Sequence, residues 1–227
     1  MPGAAGMIAR RRKGRSTHPP GLKYELRFAR LGCSAIAGID EAGRGAWAGP
    51  VVAAAVILNL TKASDLRKVR DSKQLSPHQR EALYPLIVEV CLAHGIGLAG
   101  ANEIDALGIL PATQLAMRRA IDALAVQPDA LIIDAVRLRE VDLPQSVFNF
   151  ADSISLSVAA ASILAKVARD RLMVELAAQF PGYSFERHKG YGTQAHREAL
   201  HHIGVCSIHR RTFKPIRTSE VWKTSEV

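Results

Sequence analysis

The sequence predicts an α/β fold: a mixed sheet flanked by helices, with a small C-terminal helical lobe. Three apolar, β-compatible segments follow one another early in the chain, and strand-like and helix-like segments alternate after them. That order suits a mixed sheet covered by helices. The 227 residues, 48% of them apolar, are enough for one domain with a real hydrophobic core. Aromatic residues make up only 5%, so the core must be built mostly from Ala, Val, Leu and Ile.

Taken in order, residues 1–30 read as a flexible basic N-terminal arm, with Gly, Pro and Arg dispersed and no sustained period. One folded domain is expected over residues 31–217. Ser34 to Ile39 is a short strand that runs into Asp40 and Glu41, and a glycine-rich turn follows (Gly43, Gly45, Gly49, Pro50). Val51 to Leu58 is a continuous apolar strand, expected to be buried on both faces. Ser76 followed by Pro77 starts a helix that runs to about Ala93. His94 to Ala101 alternates glycine with apolar residues and reads as a third strand. Pro111 to Val126 reads as a helix with Leu115, Ala116, Ala120 and Ala123 on one side. Ala130 to Ile133 is a buried strand ending in Asp134, and Val147 to Phe150 is a shorter one. Asp152 opens a long helix, Ser153 to Gln179, which Pro181 and Gly182 stop. The helical lobe begins at about residue 180 and holds a last helix over Thr193 to His202. Residues 218–227 read as a polar tail.

Several classes are excluded or disfavoured by composition. No apolar run reaches the ~20 residues of a membrane helix. Cys33, Cys91 and Cys206 are dispersed, with neither metal-ligand spacing nor a disulfide framework, which fits a reducing, cytoplasmic setting. The N-terminus has no apolar core behind its basic residues, unlike a secretory signal. Net charge is +9, but eight Lys/Arg against one Glu lie in residues 1–30. A second basic stretch runs from Glu186 to Arg217 and carries His188, His196, His201, His202 and His209. Such a distribution suits a polyanionic partner; a solubilising tail and a solvated face explain it equally well from charge alone.

Four acids share one kind of placement. Asp40 and Glu41 end the first strand, Asp134 ends a later one, and Asp152 opens the long helix. Ligands of α/β sheets gather at strand ends and helix starts. One acid at such a place is ordinarily a cap or turn residue; four suggest a shared pocket. Carboxylates packed together repel and need cations, and hard oxygen ligands select Mg²⁺ or Mn²⁺ over zinc. Behind the first pair, Ala42-Gly43-Arg44-Gly45-Ala46-Trp47-Ala48-Gly49-Pro50 is neither a P-loop nor a dinucleotide fingerprint, because the required Gly-Lys-Ser/Thr and the following helix are missing. Alone it reads as a tight turn with an exposed arginine, or as glycine backbone bared for close approach to a ligand.

These residues resemble a known family. Gly38-Ile39-Asp40-Glu41-Ala42-Gly43-Arg44-Gly45 and Gly49-Pro50-Val51-Val52-Ala53-Ala54 look like the signature of ribonuclease HII, the type 2 ribonucleases H. The likeness continues through Asp71-Ser72-Lys73-Gln74-Leu75-Ser76, Ile132-Ile133-Asp134, Asp152, Ala159 to Asp170, His188-Lys189-Gly190-Tyr191-Gly192-Thr193 and His209-Arg210. It implies a ribonuclease H-like fold and hydrolysis of RNA paired with DNA. It also implies incision at single ribonucleotides embedded in duplex DNA, with a role in their removal. Asp40, Glu41, Asp134 and Asp152 match the four catalytic, metal-binding carboxylates, with Mn²⁺ or Mg²⁺ as cofactor. Gly43, Arg44 and Gly45 match the loop that recognises the ribose 2′-hydroxyl, the only group that distinguishes a ribonucleotide from its deoxy neighbours. Tyr191 matches a tyrosine that packs on the sugar at the DNA side of the junction. Lys73, Lys166, Arg169 and His188 are further candidate substrate or structural partners. A monomer with no membrane partner is expected.

The chain departs from the family at Phe150-Ala151-Asp152, where Lys-Gly often precedes the last acid. Three rival readings stand beside this one: a ribonuclease H-like nuclease acting on DNA, a non-catalytic nucleic-acid-binding module, and a small-molecule phosphatase, which the basic tail and C-terminal region do not support. The Gly43–Gly45 turn and Tyr191 argue against the first. Four retained acids argue against the second, since acids repel phosphate unless metals intervene.

Overall fold

A computed structural model describes residues 19–223. Five strands form one sheet in the order β3-β2-β1-β4-β5. They are β1 (Ile36–Ala42), β2 (Val51–Leu58), β3 (Cys91–Ala99), β4 (Ala130–Asp134) and β5 (Gln145–Phe148). The first three form an antiparallel meander, and β4 and β5 add in parallel beside β1. The sheet is therefore mixed, as the order of segments predicts.

The β2 strand is buried at every position, as its unbroken apolar run requires. One face packs under helices α3 (Ala101–Leu107) and α4 (Ile109–Asp122), through Ile39, Ala53, Ala55, Met117 and Ile133. The other packs under α2 (Pro77–Val90) and the long α5 (Leu156–Gln179), through Ala54, Val56, Ile87, Ala160 and Leu164. The run of alanines in α5 lets the helix lie close to β1. A Cβ on Gly38 would stand 2.3 Å from the backbone carbon of Ser157, so only glycine fits there. The C-terminal lobe holds the short α6 (Phe185–His188), α7 (Gln194–Ile203) and α8 (Lys214–Lys223), packed around Phe185, Met173, Leu200 and Ile216.

Some boundaries differ from the sequence reading. The β1 strand runs through Asp40 and Glu41 rather than stopping at them, because antiparallel pairing with β2 continues to Ala42↔Val52. The second helix ends at Val90 and β3 begins at Cys91, three residues early, since β2 pairs with the segment down to Leu58↔Cys91. The α3 helix lies where the sequence pattern predicts the end of a strand and a loop. Asp152 sits in a 3-10 turn (Ala151–Ser153), and the long helix starts later, where the Ser155 hydroxyl accepts from the Val158 N–H.

The expected arm needs correction as well. Its first 18 residues lie outside the described residues, but Lys23–Arg30 form helix α1. Glu25 and Phe28, three apart, are buried together on one face. Glu25 Oε1 accepts from Ser155 Oγ (2.6 Å), Ser157 N (3.0 Å) and Ser157 Oγ (2.7 Å), which ties α1 to the start of α5. Likewise the first part of the expected tail, to Lys223, belongs to α8, and the last four residues lie outside the described ones. No helix among the described residues is long and apolar enough to cross a membrane.

Candidate active site

Parallel pairing brings the first acids together. Ile39 on β1 is in register with Ile133 on β4, and the next residue on each strand is an acid, Asp40 and Asp134. Glu41 follows on β1. Asp152 reaches the same end of the sheet because the backbone reverses after β5. That reversal turns on Phe150, which adopts a left-handed conformation (φ 61°, ψ 40°). In it the Ala151 N–H donates to Asp134 Oδ1 at 2.8 Å, with a second backbone bond from Phe150. A non-glycine residue is strained there, and the backbone N–H groups of Phe150 and Ala151 together hold Asp134. The Phe150 ring is left 40% exposed.

The four acids repel one another. Burial, then the charges of Glu41, Asp134 and Asp152, push the Asp40 carboxyl well above the usual carboxylate range. Burial raises Glu41, against the Arg44 guanidinium whose Nη1 lies 3.2 Å from Glu41 Oε1. Burial raises Asp134, partly offset by the N–H of Ala151 and the charge of Lys73. Burial, then Asp71 and Asp134, lift Asp152 to about 7. Glu41 Oε2 and Asp152 Oδ1 are buried without a hydrogen-bond partner. Among the described residues no three His, Cys, Asp or Glu side chains are already set to grip one ion. Like charges of this kind close on one another only around a cation, and the all-oxygen donor set with unsatisfied lone pairs fits a hard divalent ion.

Beside the acids lies a cavity of about 420 Å³, lined by Asp40, Glu41, Gly43, Arg44, Lys73 and Tyr191 among others. Gly43 has φ +93°, and a Cβ there would meet Arg169 Nε at 2.0 Å, so the turn can take this path only with glycine. Gly45 is exposed, with open space where a Cβ would stand. Lys73 is exposed, on a 3-10 turn (Ser72–Gln74) capped by the Asp71 side chain. Tyr191 forms part of the wall, its ring 5.7 Å from Lys166 Nζ and 5.3 Å from the Arg169 guanidinium.

The remaining basic candidates divide. Lys166 lines the cavity, half-buried and 2.5 Å from Asp170. Arg169 does not face it as a phosphate ligand. It is fully buried, and its guanidinium donates to the carbonyls of Pro50 (2.9 Å), Lys189 (2.9 Å) and Ala48 (3.2 Å). His188 is also committed within the lobe: Nε2 lies 2.7 Å from the Tyr183 carbonyl, and Nδ1 accepts from the Gly190 N–H. Arg169 and His188 thus support the walls from behind. Two residues escaped the sequence reading. Asp71 is a fifth acid at the site, itself buried, and its charge and hydrogen bond act on Asp152. Its position at the head of Asp71-Ser72-Lys73 was the available signal. Arg210 is fully buried, and its guanidinium donates to the carbonyls of Gly49 (3.0 Å) and Arg44 (2.9 Å). Its place in the His209-Arg210 segment was the available signal, but nothing in that segment says which distant carbonyls it braces.

A mixed sheet that gathers carboxylates at one end, beside a cavity walled by bared glycine backbone, arginine and lysine, defines a class: hydrolases of nucleic-acid phosphodiesters. Comparison with known proteins narrows it. Residues 37–216 match the family model described as ribonuclease HII. A ribonuclease HII of Syntrophotalea carbinolica is 53% identical over 86% of this chain and 93% of its own. Among solved structures, ribonuclease H2 from Pyrococcus horikoshii superposes with a TM-score of 0.72 at 26% identity, covering 85% of this chain and all of that one. Bst ribonuclease HIII, solved in complex with Mn²⁺, shares the fold with a TM-score of 0.64 at 21% identity, over 85% of this chain and 71% of that one. The chain belongs to the ribonuclease HII family. It is accordingly a metal-dependent endoribonuclease that cleaves RNA in RNA–DNA hybrids and ribonucleotides embedded in DNA.

Proposed function

We propose that Asp40, Glu41, Asp134 and Asp152 are the catalytic carboxylates, that they hold Mg²⁺ or Mn²⁺, and that incision falls on the 5′ side of a ribonucleotide. The observation that carries this is a cluster of four mutually repelling acids, two of which, Asp40 and Glu41, line one cavity together with the Gly43–Gly45 turn and Tyr191. Bound divalent ions would supply the positive charge that makes water a nucleophile and offsets charge on the phosphate. The chain's own residues do the rest. Backbone groups of Gly43 and Gly45 and the Arg44 side chain read the 2′-hydroxyl and the phosphate beside it. The Tyr191 ring seats the following deoxyribose. Lys73 and Lys166 draw the backbone in electrostatically. Water attacks in line, and a 3′-hydroxyl and a 5′-phosphate are left. Manganese is supported as one of the ions by its presence in the ribonuclease HIII relative. The protein acts as a monomer in a reducing cytoplasmic setting, in keeping with free thiols at Cys33, Cys91 and Cys206.

A duplex with one ribonucleotide, run against the all-DNA control, tests the reading. Cleavage of the first alone, with no cyclic phosphate among the products, is expected. Equal cutting of both duplexes would return the reading to a general DNA nuclease, and a cyclic product would make the 2′-hydroxyl the nucleophile in place of water.

A further inference from the structure

Behind Tyr191, within the C-terminal lobe, lies a chain of imidazoles that the chemistry above does not use. His196 and His209 are 0% and 1% exposed, and their Nε2 atoms lie 3.0 Å apart. A bond between two such nitrogens needs a proton on one and a lone pair on the other. The outer ends of the chain decide which. His209 Nδ1 lies 2.9 Å from the Cys206 backbone nitrogen, which can only donate, so that Nδ1 is bare. The Cys206 thiol lies 3.1 Å from the same nitrogen, and the Cys206 carbonyl, at 3.4 Å, is the weaker alternative. With Nδ1 bare, His209 carries its proton on Nε2. At the other end His196 Nδ1 lies 3.1 Å from the Tyr191 carbonyl, which can only accept, so Nδ1 is protonated and Nε2 is bare. Two independent constraints meet in the middle without conflict: His209 donates to His196, and His196 donates to Tyr191. Burial keeps both rings neutral at pH 7, each held down to about 4.

The neighbouring residue holds the facing wall. Arg210 donates to the carbonyls of Arg44 and Gly49, so the dipeptide His209-Arg210 grips the Gly43–Gly45 turn directly and Tyr191 through His196. The Arg210 N–H adds a bond to the Trp47 carbonyl at 2.9 Å. We propose that His196 and His209 form a single-tautomer relay that, together with Arg210, sets the position of Tyr191 against the Gly43–Gly45 turn. They are positioning residues for ribonucleotide recognition, not catalytic ones. The role rests on the functional reading above; the tautomers do not.

Two measurements test it. Isotope-edited NMR of the imidazole nitrogens in the wild-type protein is expected to find the proton on Nδ1 of His196 and on Nε2 of His209. The reverse pattern overturns the relay, whatever the enzyme cleaves. Kinetics on the single-ribonucleotide duplex then compare His209→Phe, which keeps the ring shape without the donor, with His209→Gln, which returns an N–H near the Nε2 position. His209→Phe is expected to lower kcat/KM about tenfold, mainly through KM, the kind of loss a displaced positioning group causes. His209→Gln recovers most of that loss, and in a Tyr191→Ala background His209→Phe adds nothing further. Losses that multiply with Tyr191→Ala, or a glutamine variant no better than phenylalanine, overturn the role. Should His209→Phe fail to fold, the NMR pattern and the glutamine variant in the Tyr191→Ala background still decide. A wild-type enzyme that cut all-DNA duplex equally would remove the functional reading and leave the tautomer assignment to the NMR.

Discussion

A single carboxylate illustrates the conflict built into this site. Asp40 is buried among three other acids, so in the metal-free protein its charge is a liability to the fold. Asp40→Asn is expected to abolish cleavage while leaving duplex affinity at fixed salt nearly unchanged, and to raise the melting temperature of the metal-free protein. Mg²⁺ or Mn²⁺ raises the wild-type melting temperature, because an ion that binds only the folded state stabilises it, and that response is lost in Asp40→Asn. Thermal scans with and without metal check both points, and an unaltered metal response in the variant would remove Asp40 from the ligand set. Phe150 poses a different question. Its backbone serves Asp134 whatever its side chain, so Phe150→Lys should leave stability within about 0.5 kcal/mol. The added cation near the acids should weaken divalent-metal affinity and steepen the salt dependence of duplex binding by about one counterion. Identical metal and salt profiles for the two proteins would show that the ring's position bears on neither.

At the scale of elements, the site depends on how closely α5 lies on β1. Asp40 and Glu41 sit on the strand and Asp152 just ahead of the helix, so the spacing of the two sets the spacing of the acids. Gly38 controls it. A methyl group there would meet the Ser157 and Val158 backbone at 2.3–2.4 Å, where no flexible side chain can yield. Gly38→Ala is therefore expected to cost about 1–3 kcal/mol or more, measured by urea denaturation, and to lower kcat by spreading the acids. A substitution tolerated without loss of stability would mean that helix and strand part without strain. The elements themselves were largely legible in the sequence. Period and capping signals at Ser76-Pro77 and the apolar run Val51–Leu58 located α2 and β2, because those signals are local. The short α1, α3 and α6 helices were not legible. Each is held by contacts from distant segments, as Glu25 is by Ser155 and Ser157.

For the whole molecule, the two buried clusters respond to pH with opposite signs. His196 and His209 have folded values of about 4, below the ordinary 6.5. Their share of stability is intact above about pH 6.5 and is lost as pH falls toward 4, because the unfolded chain takes up protons first. Asp152 is raised to about 7, so its share in the metal-free protein is intact below the ordinary carboxylate value of 3.8 and is lost as pH rises through 7. Denaturation free energies of the metal-free protein between pH 4 and 8 should show both losses. His209→Phe should flatten the acid limb alone, and added Mg²⁺ the alkaline limb alone. An acid limb unchanged in His209→Phe would place that loss on other groups.

Taken alone, the sequence determined the class of fold, the end of the sheet where acids collect, and the family resemblance, since residue types in order along the chain carry all three. Asp40, Glu41, Asp134, Asp152 and the Gly43–Gly45 turn were legible for that reason. Only the tertiary structure decided which charged side chains face the cleft. Arg169 reads from sequence like Lys166, a basic residue on the same helix, yet one is buried on three backbone carbonyls and the other lines the cavity. The same holds for Asp71, Arg210 and the histidine pair. Their partners lie up to 166 residues away along the chain. A side chain's role depends on what surrounds it in space, and local sequence does not record that.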